Sequence, residues 1–92
     1  MILSFNCTAT QKLFEGKRVA RLANIATVAE RKLQQLDSAV TLEFLRSPPG
    51  NRLEALSKDR AGQHSIRINA QWRVCFIWTD DGPEHVEIVD YH

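Results

Sequence analysis

The 92 residues predict an α+β fold, a single domain over residues 1–92 with an N-terminal strand and two helices packed on one face of a small antiparallel β-sheet. Three observations carry this expectation. Apolar residues recur at helical spacing through much of the first half, and at every second position through the second half. Between the two regimes stands Pro48-Pro49-Gly50-Asn51, a loop signal, because neither proline can donate a backbone hydrogen bond.

Residues 2–7 read as a short strand, with Ile2, Ser4 and Asn6 alternating against Leu3, Phe5 and Cys7. Thr8 and Gln11 fit the capping-box pattern, which predicts a short helix running through Phe14 and stopping near Gly16. A long helix is expected over 19–37, where Leu22, Ile25, Ala26, Ala29, Leu33 and Leu36 form one apolar stripe. A short helix or turn is expected around Val40–Leu45. Beyond the proline loop, Leu53 to Leu56 can form a strand, and Asp59-Arg60-Ala61-Gly62 a turn. The segments 64–68 and 72–78 alternate with period two, Asp80-Asp81-Gly82-Pro83 reads as a turn, and a last strand through Val86–Val89 ends at Asp90-Tyr91-His92.

The hydrophobic pattern also sets a register. A three-residue loop of Asn69, Ala70 and Gln71 pairs Ile68 with Trp72 and Ile66 with Val74, keeping the apolar side chains on one face. The same register places Arg67 opposite Arg73 on the other face. Like charges directly opposite are unfavourable without a partner. Either a bound phosphate relieves the repulsion, or the two arginines lean apart into solvent.

Composition bounds the function. Charged residues make up 25% and hydrophobic residues 43%, ordinary values for a globular chain. The longest apolar run, Val74 to Trp78, is far short of the ~20 residues that span a bilayer. The start lacks the charged and long apolar regions of a signal peptide, so the expectation is a cytoplasmic protein with no membrane partner. Cys7 and Cys75 read as reduced core cysteines. The net charge of +1 hides an asymmetry. Residues 46–73 hold six basic side chains against two acidic ones, whereas residues 74–92 hold five acidic side chains and no Lys or Arg. A basic middle suits a polyanion, and the acidic end limits where it can lie.

His64, His85 and His92 lack short ligand spacing, the cysteines form no C-x-x-C pair, and neither a P-loop nor a dinucleotide fingerprint occurs. The expectation is therefore no metal and no cofactor. What remains suits phosphodiester cleavage of RNA, whose 2′-hydroxyl is its own nucleophile. The protein then needs a base, a donor to the charged phosphorane and an acid for the leaving oxygen. Arginine matches phosphate with its two-pronged fork, and histidine titrates near neutrality. Arg73 lies mid-sheet, Asp90-Tyr91-His92 closes the chain, and Glu54, Lys58 and Arg60 occupy the preceding strand and turn. Each has a plainer alternative. His92 can be a frayed terminus, Tyr91 a cap on the core edge rather than a stack for a base, and Asp90 and Glu54 solvated charges.

The stretches Ser47–Glu54, Arg60–Asn69, Gln71–Phe76 and Val86–His92, together with Ala29-Glu30-Arg31-Lys32-Leu33, resemble HigB-type toxins of the RelE-like superfamily, also called plasmid-maintenance or host-killing proteins. The similarity covers nearly the whole chain. It implies a microbial-ribonuclease-like fold and the activity of a ribosome-dependent endoribonuclease, an mRNA interferase that cuts translated mRNA. The implied partners are the 70S ribosome with its mRNA and a HigA-type helix-turn-helix antitoxin. Operator DNA would be reached only through that antitoxin. By motif match, Arg73, Asp90, Tyr91 and His92 carry over as active-site candidates, and Arg52 and Arg60 as RNA-backbone contacts, with Lys58 and Arg67 beside them. Relatives can carry histidine where this chain has Glu54, and lysine where it has Ser57. Glu54 then takes over as base, or the chemistry rests on His92. Two other classes stand beside the enzyme: a non-catalytic ribosome- or RNA-binding module, and a co-repressor subunit of an antitoxin–DNA complex.

Overall fold

The computed structural model describes residues 1–90, so Tyr91 and His92 lie outside the described residues. Helices α1 (Thr8–Phe14) and α2 (Ala26–Ser38) precede strands β1 (Glu54–Ala55), β2 (His64–Arg67), β3 (Trp72–Thr79) and β4 (Gly82–Asp90). Among the described residues these strands form one antiparallel sheet in the order β1-β2-β3-β4. The expected α+β architecture is therefore present. The helices contribute Leu13, Ala29, Leu33 and Leu36 to the core, and the sheet answers with Ile66, Val74, Phe76, Val86 and Ile88. Thr10, fully buried, stitches α1 to β4 by accepting a hydrogen bond from the Ile88 N–H at 2.9 Å.

The β2–β3 register is the one the hydrophobic pattern selects, with Ile66 opposite Val74 and Arg67 opposite Arg73. Asn69 closes the loop by accepting from the N–H groups of Gln71 and Trp72, both at 2.8 Å. Asp80 and Asp81 alone make the β3–β4 turn, because Thr79 pairs with Gly82 and Gly82-Pro83 already belong to β4. The turn expected over four residues is thus two residues long.

Three expectations for the first half need correction. The predicted strand over 2–7 is reduced to a parallel bridge of Phe5 to Val86, with Leu3 N–H donating to the Pro83 carbonyl and Asn6 N–H to that of Val86. A β-bulge explains why pairing stops there. Between Cys75 and Ile77 on β3, strand β4 advances from Glu87 to Glu84 and carries one extra residue, and His85 takes a φ of 54°. The His85 N–H turns out to the Ser4 hydroxyl at 3.0 Å.

The helix expected over 19–37 is broken. A 3-10 turn covers Ala20–Leu22, and short-range bonds continue from Ile25 to Leu22 and Ala26 to Ala23 before α2 begins. Leu22 and Ile25 remain buried across the break, so the stripe survives although the helix does not. The capping box also fails to form. Cys7, not Thr8, holds the cap position of α1 without a side-chain cap, and Gln11 donates to Glu15 instead.

No described helix is long and apolar enough to cross a membrane.

Candidate active site

The sheet face turned away from the helices carries Glu54, Arg67 and Arg73 of the candidates named above. Alternation puts Glu54, Ser65, Cys75 and Glu87 in one row across all four strands, with Arg67, Arg73 and Val89 in the next. Arg73 is only 9% exposed. Its Nε donates to the Ser65 hydroxyl at 2.7 Å, its Nη2 donates to the Arg52 carbonyl at 2.7 Å, and Nη2 lies 3.6 Å from a Glu54 carboxylate oxygen. A guanidinium held on several sides in a water-poor place is a fixed positive charge, worth more to an approaching anion than a solvated one.

The Arg67–Arg73 opposition resolves by divergence. Arg73 reaches toward Ser65 and Arg52, while Arg67 Nε donates to the Asn69 carbonyl at 3.0 Å. The two therefore lean apart, and Arg73 does so into the protein rather than into solvent.

Local backbone explains how Arg52 comes to face Arg73. The 3-10 turn Pro49–Asn51 ends at Arg52, whose φ of 46° and ψ of 54° are left-handed. A non-glycine residue pays roughly 1–2 kcal/mol for this conformation. A charge-assisted hydrogen bond from Arg73 to its carbonyl offsets that cost. Asn51 holds the turn from below and is fully buried. Its amide donates to the Leu45 carbonyl and the Gln35 side chain, both at 3.1 Å, and its side-chain oxygen accepts from Lys32 Nζ at 2.5 Å. Burial, with Arg31 nearby, holds the Lys32 ammonium below its usual pKa. Helix α2 thus anchors the loop that presents Arg52, whose side chain is exposed.

Lys58 is exposed and also left-handed, at φ 55°, where the 3-10 turn Lys58–Arg60 begins. Arg60 points inward across the sheet: its Nη1 lies 2.8 Å from a Glu87 oxygen and 3.0 Å from the Gln63 amide oxygen. These charges converge on Cys75. Burial pushes its thiol up first, and Glu87 and Glu54 add to the rise against the opposing pull of Arg60 and Arg73.

The structure therefore brings together Arg73, Glu54 and the Arg52 backbone, with Arg60 and Arg67 on the same side of the sheet. Asp90 stands apart. It pairs with Trp72, which faces the helices, and its exposed carboxylate accepts from the Gln71 amide at 3.1 Å. Tyr91 and His92, named above as site candidates, lie outside the described residues. Sequence reasoning passed over Ser65, which forms no nucleophile elbow, and Asn51, which reads as a loop residue. A signal for Ser65 exists in the pattern: it is a small polar residue at Arg73 parity on the neighbouring strand. No signal marks Asn51, whose partners come from α2.

A helix layer on one face of an antiparallel sheet, with an arginine-centred polar face on the other, is consistent with the class of RelE-like toxins. Residues 3–92 match the family described as the HigB-like toxin, a RelE-like toxin of a type II toxin–antitoxin system, and the chain belongs to that family. It is 39% identical over 82 residues to Toxin HigB-1 of Vibrio cholerae serotype O1, covering 87% of this chain and 86% of that toxin. It is also 37% identical over 59 residues to an uncharacterized protein of Haemophilus influenzae, covering 64% of this chain and 58% of that one. As a type II toxin it has an antitoxin as partner.

Proposed function

We propose that this toxin is a metal-independent, ribosome-dependent endoribonuclease that cuts translated mRNA. The observation that supports the reading is the buried Arg73 guanidinium held beside the Glu54 carboxylate on the sheet face opposite α1 and α2. In the reaction the RNA 2′-hydroxyl attacks the adjacent phosphorus. Glu54 takes the hydroxyl proton, and Arg73 donates to the oxygens of the phosphorane as its charge grows. The bond to the 5′-oxygen breaks, and His92 gives that oxygen a proton. The products are a 2′,3′-cyclic phosphate and a free 5′-hydroxyl.

Tyr91 stacks on a base next to the cut. Asp90, whose carboxylate accepts from the Gln71 amide, assists as a further site residue. Arg52, Lys58, Arg60 and Arg67 line the path of the RNA backbone, with Arg60 also fixing the turn against Glu87. Phosphate contacts of this kind position a strand without reading its sequence. A helix-turn-helix antitoxin neutralises the toxin in the cytoplasm and carries it to operator DNA.

Mapping mRNA 5′ ends after a short pulse of expression tests the reading. New ends inside translated frames, absent from untranslated regions, support it. An unchanged map at confirmed soluble expression overturns it in favour of a non-catalytic ribosome-binding module or a co-repressor subunit.

A further inference from the structure

Ser65 has no place in the reaction drawn above, yet it is fully buried and its hydroxyl accepts from Arg73 Nε at 2.7 Å. An arginine has a long side chain with several rotatable bonds, and fixing it is entropically costly. Two contacts on different nitrogens of the guanidinium restrict the plane it can take. One is the Arg52 carbonyl on Nη2, and the other is the Ser65 hydroxyl on Nε. The first comes from a loop that follows two prolines and a glycine, whereas the second comes from β2, directly hydrogen-bonded to β3. Ser65 is thus the anchor on a rigid element, and it also turns Arg73 away from the like charge of Arg67.

We propose that Ser65 is a positioning residue for RNA cleavage, fixing the plane in which Arg73 meets the scissile phosphate. This inference rests on the reading that Arg73 stabilises the transition state. It makes the Ser65 hydroxyl matter for turnover and not for ribosome or RNA binding, since Ser65 is fully buried and offers a partner no surface.

The test is a double-variant cycle read by cleavage of mRNA on programmed ribosomes, with kcat and KM separated. Ser65→Ala is expected to lower kcat about tenfold to a hundredfold, the range for losing a hydrogen bond to a charged group, with KM changed less than about twofold. In an Arg73→Ala background the same change should alter kcat by less than about twofold, because a residue acting through Arg73 has nothing left to position. Ser65→Cys, which keeps the side-chain volume but accepts a hydrogen bond only weakly, repeats the reading if Ser65→Ala folds poorly.

Full kcat in either folded variant overturns the proposal, as does an equal loss with and without Arg73. Failure of both variants to fold makes Ser65 a stability residue and overturns it as well. A normal rate for Arg73→Ala itself overturns the underlying reading of Arg73, a result the cycle reports separately.

Discussion

Arg73 and Arg52 meet through a single hydrogen bond, yet they do different work. The Arg73 side chain is fixed mid-sheet, whereas Arg52 contributes its carbonyl to that fixation and leaves its own side chain exposed. Removing a fixed donor to transition-state charge costs about 10²–10³ in rate. Arg73→Ala should show that loss at saturating ribosomes. Arg52→Ala keeps the backbone carbonyl, so it should weaken binding and largely recover its rate at saturation. Single-turnover cleavage measures both, and an equal loss at saturation would show that the active face is misplaced. The cysteines offer a second contrast at this scale. Burial raises the Cys7 thiol, but hydrogen bonds from the Thr10 N–H and hydroxyl and from the Ala9 N–H, together with Arg21, leave it below its usual pKa. Cys75 is fully buried and pushed upward. Thiolate is the reactive form. Iodoacetamide at neutral pH should therefore label Cys7 first and reach Cys75 only on unfolding, as mass spectrometry of the peptides will show. Prior labelling of Cys75 would contradict the burial of its thiol.

The β-meander was legible as an element because its period is two and a slip of one residue would expose every apolar side chain. The opposition of Arg67 and Arg73 followed from that register alone. The first half was less legible. Leu22 and Ile25 keep their burial whether the chain runs as a 3-10 turn or as an α-helix, so the apolar stripe did not reveal the break. The N-terminal segment alternates like a strand, but its pairing depends on a bulge in β4 about eighty residues away. The site divides the same way: Arg73 is visible from parity, whereas Asn51 acts through Gln35 and Lys32 of α2. Gly82 tests how the N-terminal segment is held. It has a φ of 138°, and a Cβ there would lie 2.3 Å from the Met1 carbonyl oxygen. That oxygen is backbone and cannot swing aside. Gly82→Ala should cost about 2–4 kcal/mol through strain and a displaced N-terminus. Melting should fall by roughly 10 °C or more, given about 4–8 °C per kcal/mol for a domain of this size. An unchanged melting temperature would mean that residues 1–6 add nothing to the fold.

Across the whole molecule, the charge asymmetry of the sequence becomes a direction. Lys58, Arg60, Arg67 and Arg73 come from the β1–β3 side, while Asp80 and Asp81 sit at the far turn of the β3–β4 hairpin. On the arginine face of β4, Glu87 is drawn into the Arg60 ion pair, and Glu84, opposite Ile77, lies nearer the hairpin turn. A polyanion is therefore attracted along the proline loop and across Arg73, and repelled from the hairpin tip. On the proposed reading, that path leads a phosphate to Arg73 with Glu54 at its side. The helix layer on the opposite face stays clear of it. The central claim is that RNA strand scission occurs there by attack of the RNA's own 2′-hydroxyl. The most direct measurement is the chemistry of the new 3′ ends when purified toxin acts on mRNA in intact programmed ribosomes, with magnesium kept at the level that ribosome assembly requires. The account predicts 2′,3′-cyclic phosphate or 3′-phosphate ends paired with 5′-hydroxyl ends. Ends bearing a 3′-hydroxyl and a 5′-phosphate would contradict it, because they arise from attack by water rather than by the RNA's own 2′-hydroxyl.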